Sequence, residues 1–214
     1  MLIEQSNQLL RWLWEGIWRM SKHEHKVYLT FDDGPNPETT QTVLDTLARH
    51  HIRATFFCVG DNVRKYPKEF AKLTANHHIV GNHTMHHLKG FSTNTADYVA
   101  DINEANTFIH STLFRPPHGR ITWKQMAALR NDYTIVFWDV ITRDYNRKLT
   151  PARVLNIVKR YTRNGSIIVF HDSVKAQPNL FGALEPAIVW LKQQGYTFGT
   201  LDELINNKPT PTQS

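Results

Sequence analysis

Residues 26–35 read Lys-Val-Tyr-Leu-Thr-Phe-Asp-Asp-Gly-Pro: after Lys26, an uncharged run of β-branched, aromatic and aliphatic side chains, then two adjacent carboxylates and a turn pair. Residues 27–31 have the composition of a buried strand, and Asp32–Asp33 stand where that strand ends. Working outward, six similar runs follow at 54–59, 78–82, 113–115, 134–138, 166–170 and 196–198. Helical periodicity fills the intervals at 39–51, 67–76, 95–110, 123–131, 151–163 and 182–194. Thr150-Pro151 is a helix start, with Thr as cap and Pro at the first helical position. Gly81, Gly165 and Gly195 are read as stops after helices. Strands alternating with helices predict an α/β fold with about seven parallel strands, either an open doubly wound sheet or a barrel related to the eight-fold one. Both architectures put their functional groups at the carboxyl ends of strands, which is where the unusual polar clusters of this chain fall.

Composition narrows the rest. A chain of 214 residues with 41% hydrophobic and 21% charged side chains and a mean hydropathy of −0.44 describes one globular domain, not a disordered or membrane-spanning chain. A core of this size needs no structural metal, so a bound metal would serve chemistry. Lys plus Arg exceed Asp plus Glu by 25 to 19, a net charge of +6, without the basic runs or aromatic interleaving that track nucleic acid. The excess points to an anionic surface or substrate. Cys58, the single cysteine, lies in the apolar run 54–59 and reads as a core residue.

At the amino terminus Leu2, Leu9, Leu10, Leu13, Ile17 and Met20 recur at helical spacing, while Glu4, Gln5, Asn7, Gln8, Arg11, Glu15 and Arg19 interrupt the apolar run an export signal requires. The expectation is an amphipathic helical extension over 1–24, a catalytic domain over 25–206 and a flexible tail over 207–214. Trp12, Trp14 and Trp18 allow peripheral contact with a membrane; packing of the helix on the main domain is the favoured alternative. A cytoplasmic or membrane-peripheral location follows from the same reading.

The clusters themselves suggest a reaction. If Asp32 and Asp33 reach one site, their repulsion must be relieved by a cation, and a metal held by one leaves the other free as a base. His83 and His87, four apart on a helical turn, would project from one face as two ligands, with His86 as a competitor. Two imidazoles and a carboxylate suit a divalent ion with an open water position, zinc first, with cobalt, nickel or manganese as alternatives. Pro116 and Pro117 leave the His118 amide as the next donor available to a substrate oxygen, and Arg115 would emerge beside the acids to hold a carboxylate ionised. The strand 166–170 runs into His171, which Asp144 could hold and tune as a proton donor.

In this order the clusters resemble those of the polysaccharide deacetylase family with the NodB homology domain, carbohydrate esterase family 4, over about residues 26–204. Thr30-Phe31-Asp32-Asp33-Gly34-Pro35 is similar to the first motif of that family and implies Asp32 as catalytic base and Asp33 as metal ligand. His83-Thr84-Met85-His86-His87 resembles its His-Ser/Thr-x-x-His motif, which selects His83 and His87 over His86. Arg115-Pro116-Pro117-His118-Gly119 resembles the third motif, whose arginine positions the base and whose amide after the prolines binds the oxyanion. Val169-Phe170-His171 resembles the last, implying His171 as general acid and Val169 in the pocket for the acetyl methyl. Pro117 and Tyr145 enter as substrate contacts by the same match. Two departures stand out: His118 replaces the usual Tyr, and the fourth motif, usually Asp-x-x-Asp-Trp, reads Ile141-Thr142-Arg143-Asp144-Tyr145. The latter retains Asp144 but loses its first Asp and its Trp.

The resemblance implies a distorted (β/α) barrel with fewer than eight regular strands and a metal-dependent hydrolase that releases acetate from an N-acetylated amino-sugar oligomer or polymer, of chitooligosaccharide or peptidoglycan type. Rival readings are hydrolysis of another C–N bond, in a cyclic amide or formamide, and a catalytically silent sugar- or envelope-binding protein. No nucleic-acid partner is expected, and the oligomeric state is not legible.

Overall fold

The computed structural model describes residues 4–5 and 14–206. Strand β1 (Lys26–Asp32) lies at the centre of the sheet and is followed by α1 (Thr40–Arg49), β2 (Thr55–Cys58), α2 (Gly60–Lys65), α3 (Pro67–Ala75) and β3 (Ile79–Asn82). Then come α4 (Thr95–Ile109), β4 (Leu113–Phe114), α5 (Trp123–Leu129), β5 (Thr134–Ile135) and β6 (Val140–Ile141). The chain closes with α6 (Pro151–Tyr161), β7 (Ile167–His171), α7 (Gln177–Gln193), β8 (Thr197–Gly199) and α8 (Glu203–Asn206). All strand pairs are parallel, in the order β5-β4-β3-β2-β1-β7-β6. Strand β8 stands off this path, pairing with Lys26–Tyr28 of β1, while β2 pairs with Thr30–Asp32. The result is the curled, incomplete (β/α) barrel expected, not the open doubly wound sheet.

Strand interiors are almost entirely buried because helices cover the outside and side chains fill the inside. Val27, Leu29 and Phe31 face one cluster with Val43, Leu47 and Phe170, while Tyr28 belongs to another with Phe57 and Ile167. Thr150 caps α6 by accepting from the Arg153 amide, as its sequence predicts, and Thr122 and Gln125 form a reciprocal capping box at α5.

Several expectations need correction. Residues 14–20 are not helical. Ile17 forms a bridge with Val136, Arg19 with Ser166 and, further upstream, Gln5 with Val140, so this segment lies across the sheet seam between β5 and the β6–β7 edge. The apolar spacing that suggests a helix is met instead by Trp18 stacking on Phe137 at 4.1 Å and by the Trp14 indole N–H donating to the Ile121 carbonyl at 2.9 Å. The rest of the expected helix, 1–3 and 6–13, and the tail 207–214 lie outside the described residues. Gly81 is inside β3, where a Cβ would strike the Phe57 ring at 2.6 Å; close packing, not helix termination, demands glycine there. The run at 134–138 keeps regular pairing only to Ile135, and the short β6 and α2 have no sequence signal of their own. Among the described residues no helix is long and apolar enough to cross a membrane.

Candidate active site

The site is assembled at the carboxyl ends of β1, β3, β4 and β7. In the β1–β7 pairing Asp32 is opposite His171, so the two side chains proposed as base and acid occupy matched positions on neighbouring strands. Asp33 then leaves the sheet with φ at 79°, a left-handed conformation that Asp tolerates better than most residues. Its carbonyl accepts from the Asn62 side chain at 2.7 Å. The turn is anchored from below by Asp172, whose carboxylate accepts from the hydroxyls of Thr39 at 2.5 Å and Thr40 at 2.6 Å and whose amide donates to the Asp32 carbonyl at 2.7 Å. A Cβ on Gly34 would collide with that carboxylate, which explains the glycine after the acid pair. Burial raises the Asp172 carboxyl to about 6 despite the two hydroxyl donors.

The loop after β3 carries the histidines without a helical turn. Thr84 and His87 both have left-handed backbones, with φ at 67° and 55°, and this brings His83 and His87 to one side where regular helix spacing is absent. Asp101 of α4 holds the loop by accepting from the Met85 and His86 amides at 2.7 and 3.1 Å. It also meets His86 Nδ1 at 2.6 Å, which occupies that imidazole away from the cluster and decides between the competing histidines.

Asp33, His83 and His87 offer ligand atoms that all lie within 4.8 Å of one another, the one such group among the described residues. Asp33 Oδ1 is 3.2 Å from His87 Nε2 and 3.7 Å from His83 Nε2. His83 Nδ1 donates to the Arg115 carbonyl at 2.7 Å, leaving Nε2 with its lone pair towards Asp33. Burial lowers the His83 imidazole to about 4, so it is neutral and ready to ligate at pH 7, whereas the Asp33 carboxyl is held well below its usual range, the neighbouring imidazoles outweighing its burial. One carboxylate and two imidazoles, that of His83 neutral and with its tautomer fixed, fit a divalent ion such as zinc.

Arg115 is wholly buried and organises the base. Its Nη1 donates to Asp32 Oδ1 at 2.6 Å and to the Thr30 hydroxyl at 2.8 Å, its Nη2 to the Phe137 carbonyl at 2.9 Å, and its guanidinium lies 4.0 Å from the Phe57 ring centroid. Asp32 Oδ2 has no hydrogen-bond partner among the described residues, so one oxygen is oriented while the other is available. Asp144, in the connection after β6, accepts from the His171 amide and lies 2.8 Å from His171 Nδ1. Burial alone would depress the imidazole, but the Asp144 carboxylate outweighs it and raises His171 to about 9.

A cavity of about 440 Å³ opens over these groups, with Asp32, Asp33, His83, His87 and His171 in its floor. Trp138, Ile141 and Tyr145 form apolar wall, and the Tyr145 ring meets His171 edge to face at 4.7 Å. His118 also lines the cavity. Its backbone is left-handed, with φ at 59°, and its amide donates to no acceptor among the described residues. Gly119, at φ 65°, leaves the space that the Trp138 ring fills. Val169 and Pro117 do not line the cavity: Val169 is sealed within β7 beside Thr30 and Ile141, and Ile141 presents the apolar surface instead. Sequence reasoning missed Trp138, the aromatic that ends the run 134–138, and the positioning roles of Asp172 and Asp101, for which no local pattern exists.

The sequence profile described as polysaccharide deacetylase matches residues 19–136, more than half the chain. The chain belongs to that family. A peptidoglycan-N-acetylglucosamine deacetylase of Bacillus cereus is 31% identical over 199 residues, covering 89% of this chain and 93% of its own. A crystal structure of the peptidoglycan N-acetylglucosamine deacetylase Bc1960 superposes with a TM-score of 0.85 at 29% identity, covering 93% of this chain and 97% of its own. The deacetylase family also includes a Bacillus anthracis protein described as a pseudoenzyme, which matches with a TM-score of 0.81 at 25% identity over 92% of this chain and 70% of its own. Membership therefore fixes the fold, and activity has to be argued from the residues present.

Proposed function

We propose that this protein hydrolyses the N-acetyl group of an amino-sugar chain of peptidoglycan or chitooligosaccharide type, releasing acetate and a free amine. The observation that carries the reading is the pairing of Asp32 with His171 across β1 and β7 beside the Asp33–His83–His87 cluster. A divalent ion held by those three residues would supply Lewis-acid polarisation of the acetyl carbonyl and a water of lowered pKa. Asp32, oriented by Arg115, takes the proton of the attacking water through its unpartnered oxygen. The unpartnered His118 amide supports a role as donor to the oxyanion that develops at the carbonyl. His171, protonated at neutral pH through Asp144, gives its proton to the departing amine as the C–N bond breaks. Water thus adds one oxygen to the acyl carbon, and the protons pass from water to Asp32 and from His171 to nitrogen.

A panel of chitooligosaccharides, peptidoglycan fragments, small acetylated sugars, cyclic amides and formamides, assayed with and without added zinc, tests the proposal. Acetate is expected from the acetylated sugar oligomers, with no turnover of the cyclic amides or formamides. Turnover of only the latter would establish the rival C–N hydrolase, and inertness towards the whole panel would overturn the proposal.

A further inference from the structure

Three cations at the mouth of the catalytic cavity have no part in the hydrolysis just described. Lys89, Arg120 and Lys175 all line it, and each comes from a different connection: Lys89 from the loop after β3, Arg120 from the segment after β4, Lys175 from the link between β7 and α7. All three are exposed, and none has a carboxylate partner among the described residues. The two acids in the cavity floor are already engaged, Asp32 by Arg115 and Asp33 by the two histidines. Lys175 Nζ rests 5.7 Å from the Tyr145 ring centroid, beside His171, while Lys89 and Arg120 follow His87 and His118 in the chain.

Unpaired charges of one sign around a cleft focus their field into it and select a ligand of the opposite sign. A neutral N-acetylglucosamine chain offers them hydroxyl and carbonyl acceptors but no charge of opposite sign. We infer that the deacetylated substrate bears an anionic substituent on or next to the N-acetylated sugar, and that Lys89, Arg120 and Lys175 are the residues that recognise it. The guanidinium of Arg120 presents the paired donors that suit either a carboxylate or a phosphate on a sugar. This specificity rests on the deacetylase reading and adds to it a preference that neutral-polymer chemistry does not require.

Acetate release by the zinc-loaded full chain decides the matter. The substrates are a neutral N-acetylglucosamine oligomer, an oligomer with lactyl carboxylates on alternate sugars, the same oligomer with those carboxylates amidated, and a phosphorylated N-acetylglucosamine oligomer. Exposed ion pairs contribute about 0.2–1 kcal/mol each, so three should give roughly a tenfold advantage in kcat/KM to an anionic substrate over the neutral one. Amidation should abolish the advantage, and whichever anionic oligomer shows it identifies carboxylate or phosphate. The advantage should shrink as ionic strength rises from about 0.01 to about 0.15 M, because the Debye length falls from about 30 to about 8 Å. Lys89→Gln, Arg120→Gln and Lys175→Gln, singly and combined, should each move the anionic-to-neutral ratio towards one; the single variants suffice if the combined one does not fold. Equal or better turnover of the neutral oligomer, insensitive to salt, would overturn the anion specificity and leave the deacetylase standing. No acetate from any of the four would instead bring down the deacetylase itself.

Discussion

Asp32 and Asp144 are both carboxylates beside a partner of opposite charge, yet their surroundings give them different work. Asp32 shares one oxygen with Arg115 and keeps the other unpartnered in the cavity floor, as a proton acceptor needs. Asp144 is fully buried and spends both oxygens on His171 and neighbouring amides, as a positioning group needs. Asp32→Asn keeps the shape and removes the basicity, so kcat should fall about 10²–10⁴-fold. Metal content by atomic absorption should not change, since Asp32 is outside the three-ligand cluster; retention of near-normal kcat would refute the base assignment. Asp144→Asn removes the charge that raises His171 to about 9. A general acid works only while protonated, so the descending alkaline limb of the kcat/KM profile should move to lower pH in this variant. An unmoved limb would show that some other group gives the proton.

At the scale of the element, the segment at Trp14–Met20 does what a regular strand would do in a closed barrel. The sheet path ends at β5 on one side and β6 on the other, and exposed edges are costly because their amides and carbonyls lack partners. Ile17 donates to the Ile135 carbonyl and accepts from the Phe137 amide, and Met20 donates to the Gly165 carbonyl, so this short stretch ties both sides of the seam. Its aromatic side chains are half-buried against Phe137 and Ile121, which accounts for much of the apolar character that the sequence displays there. Replacing Trp18 by Ala should lower unfolding free energy by about 3 kcal/mol, measured from the urea midpoint, since an aromatic ring is lost from a packed site. A change within about 0.5 kcal/mol, the range of ordinary surface substitutions, would mean that the segment does not hold the seam.

For the whole molecule, the same three residues that gather for a metal come from two separate strand ends and approach only in the folded state. A ligand that binds the folded chain alone stabilises it by about 2.7 kcal/mol at a hundredfold excess over its Kd. For a chain of this size that amounts to a rise in Tm of roughly 5–10 °C. Zinc should produce such a rise and a chelator should reverse it; His87→Ala should remove most of the effect. Equal zinc-induced shifts in this variant and the parent chain would place the ion elsewhere. The reading is independent of turnover, so it tests the cluster even if the substrate remains unknown.

By itself the sequence determined the strand–helix alternation, the buried first strand and the identity of the charged residues at its end, because a buried strand and a paired acid leave local patterns of composition and spacing. It also carried Asp144 as the partner of His171, through the order of the motifs. Tertiary structure alone decided the rest. The left-handed Thr84 and His87, not a helical turn, bring the two imidazoles together, and backbone handedness leaves little trace in residue type outside glycine. Val169 is sealed inside β7 and Ile141 takes the cavity wall, because the face a short strand shows is set by its pairing register. The segment at 14–20 became a seam across the barrel because hydrogen bonds to Ile135, Phe137 and Gly165 satisfy its backbone, as a helix would, and only distant parts of the chain could supply them.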